Sequence, residues 1–379
     1  MSPQIEIQII AVIVAIACSI PGVFLVLRKM AMMSDAITHT ILLGIIIGFF
    51  IVHDISSPFL IIGATLTGLF TVYMVELLTR TRLVSEDSAI GIVFPFLFSI
   101  AIILITRYAG NVHIDIDAVL LGELAFAPFN RLRIFGVDIG AKGIYSMGLI
   151  LIINLGLIWI FFKEIKIVVF DSELAAVLGF SPVLIQYGLM TIVSVTTVGA
   201  FEAVGSILVI AFMIGPPVSA YLLTDDLKKM LYISSGIGAL NALGGYQIAF
   251  YYDVSIAGSM ATFTGITFMF VFIFAPQRGM ISVAKRRKFQ SIDFAKKTML
   301  FHILHHEGKE NEGIENGVST IYEHLNLKRE FLKRMILQLI HEEKLQEVSG
   351  VYKLTDSGRK YTIESYESII ESLNSEYIK

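Results

Sequence analysis

The sequence predicts an all-α polytopic membrane protein of eight or nine transmembrane helices followed by a small α+β domain, and three observations carry that expectation. Of 379 residues, 55% are apolar and only 16% charged, with a mean hydropathy of +0.75, a combination foreign to soluble globular proteins. Apolar windows long enough to cross ~30 Å of hydrocarbon recur nine times, at 5–27, 33–52, 57–78, 89–107, 144–162, 183–200, 203–223, 230–251 and 255–275. After Lys288 the composition changes: residues 289–379 hold 12 Lys/Arg and 15 Asp/Glu and no run that could span a bilayer. The expected domains are therefore 1–288, transmembrane, and 289–379, soluble.

The first window has an acidic N-terminal flank at Glu6 and is too long for a cleaved signal peptide, so it is expected to remain. If all nine windows cross, Arg28/Lys29, Arg80/Arg82, Lys163/Lys166, Lys228/Lys229 and the block 285–288 share one side, the cytoplasmic one, together with the C-terminus. The segments 53–57, 108–143 and 251–255 then face out. Arg107, Arg131, Arg133 and Lys142 break the rule on the outer side, which would fit eight spans with one re-entrant window. The net charge of −3 argues against nucleic-acid binding as the main activity, and the lone Cys18 excludes an internal disulfide or a Cys-rich metal site.

Within 289–379 the pattern predicts a helix at about 294–306, a loop to 317, helices at 318–324 and 328–343, strands at 345–348 and 351–354 turning at Ser349 and Gly350, and a last helix near 363–373. Three helices and a hairpin in so short a stretch suggest a winged helix.

Ionisable residues inside apolar windows mark the candidate sites, because a bilayer tolerates them only against a cavity, a partner or an ion. Asp35 and His39 lie four apart, on one helix face, and their donor atoms suit Mn²⁺, Zn²⁺ or Fe²⁺. The same pair could equally be an internal Asp–His contact or part of a helix N-cap. Gly44 and Gly48, on the same helix, offer a face for close packing. Glu202 is a lone carboxylate between two windows, and Pro216 and Pro217 interrupt the next, either as a structural kink or as a broken helix lining a pathway. In the second domain His302 and His306 could hold a metal with a third ligand, or could simply be polar residues favoured near a helix C-terminus.

Residues 168–181 read as a short amphipathic cytoplasmic helix, capped by Asp171 or Ser172, ended by Gly179 and stopped by Pro182, a shape suited to docking on a soluble partner. No G-x-x-x-x-G-K-[ST] run is present, so energy from ATP would have to enter through another chain.

Three motifs in order, RKMAMMSDAITH at 28–39, FDSELAAVLG at 170–179 and VGSILVIAFMIGPPVSA at 204–220, closely resemble the manganese/zinc/iron-type permease family of ABC transporters over about residues 5–280. The resemblance implies an importer permease with no ATPase site or cofactor of its own. It would work with an ABC ATPase subunit, a soluble metal-binding protein and a second permease chain, in a homo- or heterodimer, in the cytoplasmic membrane, with membrane lipid around it. It further implies that Asp35 and His39 contact the passing metal, and that 170–179, with Asp171, Glu173, Ala175 and Gly179, is the coupling helix that docks on the ATPase. Glu202 departs from the family pattern, where an uncharged residue is expected. The tail, absent from most members, resembles the winged-helix domain of the iron-dependent repressor family over 331–339, 341–345 and 352–358.

Two other classes stand beside the importer: a secondary transporter with Asp35 and Glu202 as proton-coupling carboxylates, and a membrane-tethered metal-responsive regulator. The docking helix speaks against the first. The acidic balance of the tail, with Glu330, Glu342 and Glu343 interleaved among its basic residues, speaks against the second, and high-affinity specific DNA binding is not expected.

Overall fold

Helix α1 (Pro3–Leu27) opens with proline in its first turn, behind an extended Ser2, where no backbone N–H is needed. It is apolar on every side, and such a helix has to be surrounded. In the computed structural model it is: Ile10, Ala11, Val14, Ala15, Cys18, Phe24 and Leu25 are all fully buried. The structure describes residues 2–53, 57–108, 124–134, 137–325 and 329–377, and the expected outer segments 53–57 and 108–143 lie partly outside them. The chain divides into two compact units, Met1–Met280 and Ile281–Lys379.

In the first unit α1 is followed by α2 (Met32–Val52), α3 (Pro58–Arg80), α4 (Glu86–Tyr108), a 3-10 turn (Leu124–Phe129), the strands β1 (Arg131–Ile134) and β2 (Val137–Ala141), and α5 (Lys142–Ile160). Two short helices come next, α6 (Phe162–Phe170) and α7 (Ser172–Val177), then α8 (Pro182–Val204), α9 (Ser206–Leu223), α10 (Leu227–Tyr252) and α11 (Ile256–Phe274). Helix α1 packs against α5, α8, α9 and α10; α2, α3 and α4 form a second group that meets α8; and α11 closes on α9 and α10. Trp159 and Ile152 on α5, Phe96 and Ile103 on α4, and Ile266 and Phe270 on α11 project outward, as side chains facing bilayer hydrocarbon do.

Among the described residues eight helices are long and apolar enough to cross a membrane. The ninth expected window is α10, which has the length but carries Ser234, Ser235, Asn241 and Gln247. Two of these are turned inward, Ser234 and Asn241, and Asn241 accepts a 2.8 Å hydrogen bond from Thr267 on α11, while Gln247 is exposed.

Two of the outer cations that break the charge rule are neutralised. Arg131 donates to both oxygens of buried Glu6 at 3.0 and 2.8 Å and to Asp138 at 2.9 Å, and Lys142 pairs with Glu202 at 3.1 Å. Glu6 lies in the first turn of α1, where the helix dipole also favours a carboxylate. The β1–β2 hairpin is thereby tied to the start of α1.

Helices α2 and α3 meet backbone to backbone at Gly44 and Gly63, so the packing face expected at Gly44 and Gly48 is formed. Beside it Thr71 donates to Thr40 at 2.8 Å, and both hydroxyls are buried.

The second unit begins with α12 (Met280–His306), then α13 (Glu312–Glu315), α14 (Ile321–His324), α15 (Arg329–His341), β3 (Leu345–Val348), β4 (Val351–Leu354) and α16 (Asp356–Tyr377). Helix α12 starts earlier than expected because the block 285–288 consists of good helix formers and continues the helix. Apolar positions 332, 335, 336 and 339 make one face of α15, which packs with Met299, Leu300, Ile303 and Ile321 and with Leu345, Tyr352 and Leu354 of the hairpin. Ser349 and Gly350 both have positive φ, the geometry of a two-residue hairpin turn that follows the strand twist. The short α13 lies in what the sequence pattern reads as loop, and Lys328 is outside the described residues.

A Cβ at Gly44 would collide with the Gly63 carbonyl, which is backbone and cannot swing away, whereas Gly91 on α4 faces open space. Gly44→Ala is expected to cost ~1–3 kcal/mol through overpacking, and Gly91→Ala to be neutral or stabilising. Thermal melting of the two variants in detergent checks the contrast.

Candidate functional site

Helix α1 ends in a left-handed turn at Lys29 (φ 62), with the amide of Met30 bonded to the Leu25 carbonyl at 2.9 Å and that of Lys29 to Val26 at 3.0 Å. This turn reverses the chain so that α2 begins at Met32 and Asp35 falls in its first turn, where the dipole favours an anion. Ala31 occupies the N-cap position, so Asp35 is not the cap.

One turn deeper, His39 Nε2 stands 3.3 Å from Asp35 Oδ1, and each side chain keeps 28% of its surface accessible. Two α4 rings seat the imidazole, Phe94 at 5.6 Å and Phe98 edge-on at 5.8 Å between centroids. The carboxylate and imidazole expected to share a face therefore meet, in an apolar setting that still opens to one side. Among the described residues no third His, Cys, Asp or Glu joins them as a ligand group.

A second set of polar contacts at this end of the bundle is one that the sequence reading missed. Arg28 donates to Gln186 at 2.9 Å, while Glu76 accepts from Tyr187 at 2.5 Å and from Arg80 at 2.7 Å. Burial lowers the pKa of Arg28, and the charges of Glu86 and Glu76 partly restore it. These bonds link the ends of α1 and α3 to the start of α8. Glu76, a carboxylate inside the third apolar window, was the available signal, by the reasoning that singled out Asp35.

Glu202 is on the last turn of α8, half-exposed and paired with Lys142. Gly205 (φ 80) separates α8 from α9, whereas Pro216 and Pro217 lie inside an unbroken, buried stretch of α9. Proline cannot donate to the carbonyl four residues back, which frees those of Phe212 and Met213. Ser19 on α1 donates to Phe212 O at 3.4 Å, and Gly22 lets the α1 backbone lie close against Met213 O. Pro216 thus shapes the α1–α9 contact.

The segment 168–181 is split at Asp171, whose extended backbone ends α6 and whose side chain caps α7 by accepting from Leu174 N at 2.9 Å. Gly179 (φ 87) ends α7, with Phe180 N bonded to Ala175 O at 3.0 Å, and Ser181 then caps α8 behind Pro182. Ala175 is buried beneath the element, while Glu173, Leu174, Val177 and Leu178 are exposed, Val177 at 84%. In the second unit His302 and His306 come together with Glu315 of α13.

A family described as the ABC 3 transport family matches residues 5–275. The manganese transport system membrane protein MntD of Bacillus subtilis is 45% identical over 271 residues, 72% of this chain and 92% of that protein. The zinc transport system membrane protein TroD of Treponema pallidum is 40% identical over 353 residues, 93% of this chain and 96% of that protein, an alignment that extends well into the second unit. A solved structure, PsaBC from Streptococcus pneumoniae in complex with Fab, matches with a TM-score of 0.63 and 28% identity, covering 75% of this chain and 96% of that one. The apolar helices, their order and these matches together identify a multi-pass membrane protein that belongs to the ABC 3 transport family.

Proposed function

We propose that the chain is the permease subunit of an ATP-driven importer that brings Mn²⁺, Zn²⁺ or Fe²⁺ across the cytoplasmic membrane. Its partners are a separate ATPase subunit, a soluble metal-binding protein and a second permease chain. The observation that carries this reading is the Asp35–His39 pair, a mixed oxygen–nitrogen donor set in a partly open, Phe-lined position. Two donors are fewer than the four that Zn²⁺ takes or the six of octahedral Mn²⁺. The remainder would come from water and from a facing permease chain, a shortfall suited to a transit site, where an ion must also leave.

Helix α7 and its apolar rim support the coupling role, since Val177 and Leu178 are exposed where the charge pattern puts cytoplasm. The proton-coupled alternative draws no support from Glu202, whose charge Lys142 already balances.

The second unit is, in this reading, a cytoplasmic winged-helix domain, residues 289–379, that modulates the transporter. Of its twelve Lys and Arg residues, six are in ion pairs among the described residues: Lys296 and Lys344 with Glu342, Lys353 with Glu312, Arg359 with Glu307, Lys297 with Asp293 and Lys360 with Glu364. Ion-paired cations neutralise phosphates poorly, and together with the acidic balance of 289–379 this disfavours tight DNA binding and the tethered-regulator alternative.

Two experiments test the proposal. Asp35→Ala and His39→Ala should each lower cellular uptake of radioactive Mn²⁺ or Zn²⁺ by more than about tenfold, since even outer-shell partners of metal ligands cost 10–100-fold; protein level and melting temperature should hold. Undiminished uptake in the double variant would refute the contact. Gly179→Val should uncouple the assembly, leaving ATP hydrolysis while transport falls, because a left-handed residue with a β-branched side chain costs ~1–2 kcal/mol or more although the space around it is open. Gly179→Asn, which tolerates that conformation, should retain coupling; equal behaviour of the two would place the docking surface elsewhere.

A further inference from the structure

We infer that the second unit carries a resident divalent transition-metal site of its own, built by His302 and His306 of α12, Glu315 of α13 and His324 of α14. Nitrogen and oxygen donors of His302, His306 and Glu315 all lie within 4.8 Å of one another. The imidazoles of His302 and His306 face each other one helical turn apart, with centroids 4.8 Å apart. Glu315 Oε2 stands 3.7 Å from His302 Nε2 and 3.1 Å from His324 Nδ1, so one carboxylate oxygen already bridges two elements. Zinc requires ~2.0–2.2 Å of His and Glu donors, so His302 Nε2, now 3.2 Å from the Glu315 carbonyl oxygen, would exchange that contact for the ion.

Two features mark this as a site in place of a chance surface cluster. His306 Nδ1 is closed off from solvent and has no hydrogen-bond partner, a vacancy that buried polar atoms seldom show. The neighbouring His305 points outward to Lys309 at 3.2 Å, so not every histidine here turns inward. The frame is also fixed: Asn316, next to Glu315, donates to Ile303 O on α12 at 3.1 Å, and its own carbonyl accepts from Tyr352 of β4 at 2.9 Å. The site draws on three separate helices, so an ion there would join α12, α13 and α14.

Three imidazoles and a carboxylate select borderline ions, Zn²⁺ first and Mn²⁺ or Fe²⁺ after it, over Mg²⁺ and Ca²⁺. That this ion is drawn from the transported pool rests on the importer reading; the binding itself does not.

The test uses the full chain in detergent, stripped with chelator, and the Asp35→Ala/His39→Ala double variant, each loaded with Zn²⁺ alone and then Mn²⁺ alone, desalted, and assayed for bound metal. One Zn²⁺ per chain retained in the double variant is expected, with imidazole scattering in its X-ray absorption spectrum. Adding His306→Ala or Glu315→Gln to that variant should weaken retention at least tenfold. Failure of the double variant to retain Zn²⁺ overturns the site, and this readout needs no change in the second unit, so misfolding of a tail variant cannot obscure it. Equal retention by well-folded His306→Ala and Glu315→Gln chains also overturns it. Loss of uptake in Asp35→Ala/His39→Ala bears only on the importer, so the two readings fail separately.

Discussion

An ionisable side chain inside hydrocarbon must have something to bind, and in the first unit Asp35 meets that demand with His39. The carboxylate sits in the first turn of α2, where the helix dipole helps to hold its charge, and it faces an imidazole one turn away. Neither group is sealed in. Both keep part of their surface open while Phe94 and Phe98 wall the other side, so the pair is satisfied at rest and still accessible to an ion that competes for the same lone pairs.

The same constraint explains contacts far from the pair. Asn154 on α5 donates to Thr196 of α8 at 2.8 Å and to Ala17 O of α1 at 3.3 Å, linking three helices where no water would be present. Glu6 is buried where Arg131 of the β1–β2 hairpin donates to it at 2.8 Å. The Phe212 carbonyl freed by Pro216 faces Ser19, whose hydroxyl is shared with Ala15 O, and Gly22 leaves room for the Met213 carbonyl freed by Pro217. These partners are supplied by α1 or tied to it, and among the candidate spans α1 has the largest buried share.

Much of this was legible in the sequence, because hydrophobic length and period report directly on helices that lie in lipid. The nine expected windows match α1 to α5 and α8 to α11 within a few residues, and the hairpin at Leu345–Val348 and Val351–Leu354 was marked by its Ser349–Gly350 turn. The Asp35–His39 contact followed from helical spacing, and the end of α7 from Gly179. What could not be read was which element each polar residue would meet. Glu202 read as a lone carboxylate between two windows, yet it finds Lys142 sixty residues away; Glu315 joined His302 and His306 because α13, a single turn, formed in an apparent loop. Pairings between elements distant in sequence depend on packing, and no local pattern encodes them.

A chain with two donors at the membrane pair and a three-histidine cluster in its second unit would meet the same ion in two ways, weakly in passage and more firmly at rest. The passage site is the central claim. Anomalous scattering from crystals of the assembled transporter, permease with its ATPase, grown with Zn²⁺ or Mn²⁺, locates the ion directly. An ion within ~2.0–2.3 Å of both the Asp35 carboxylate and the His39 ring is the expected result. An ion found elsewhere along the pathway, with His39 Nε2 and Asp35 Oδ1 still 3.3 Å apart, would contradict it.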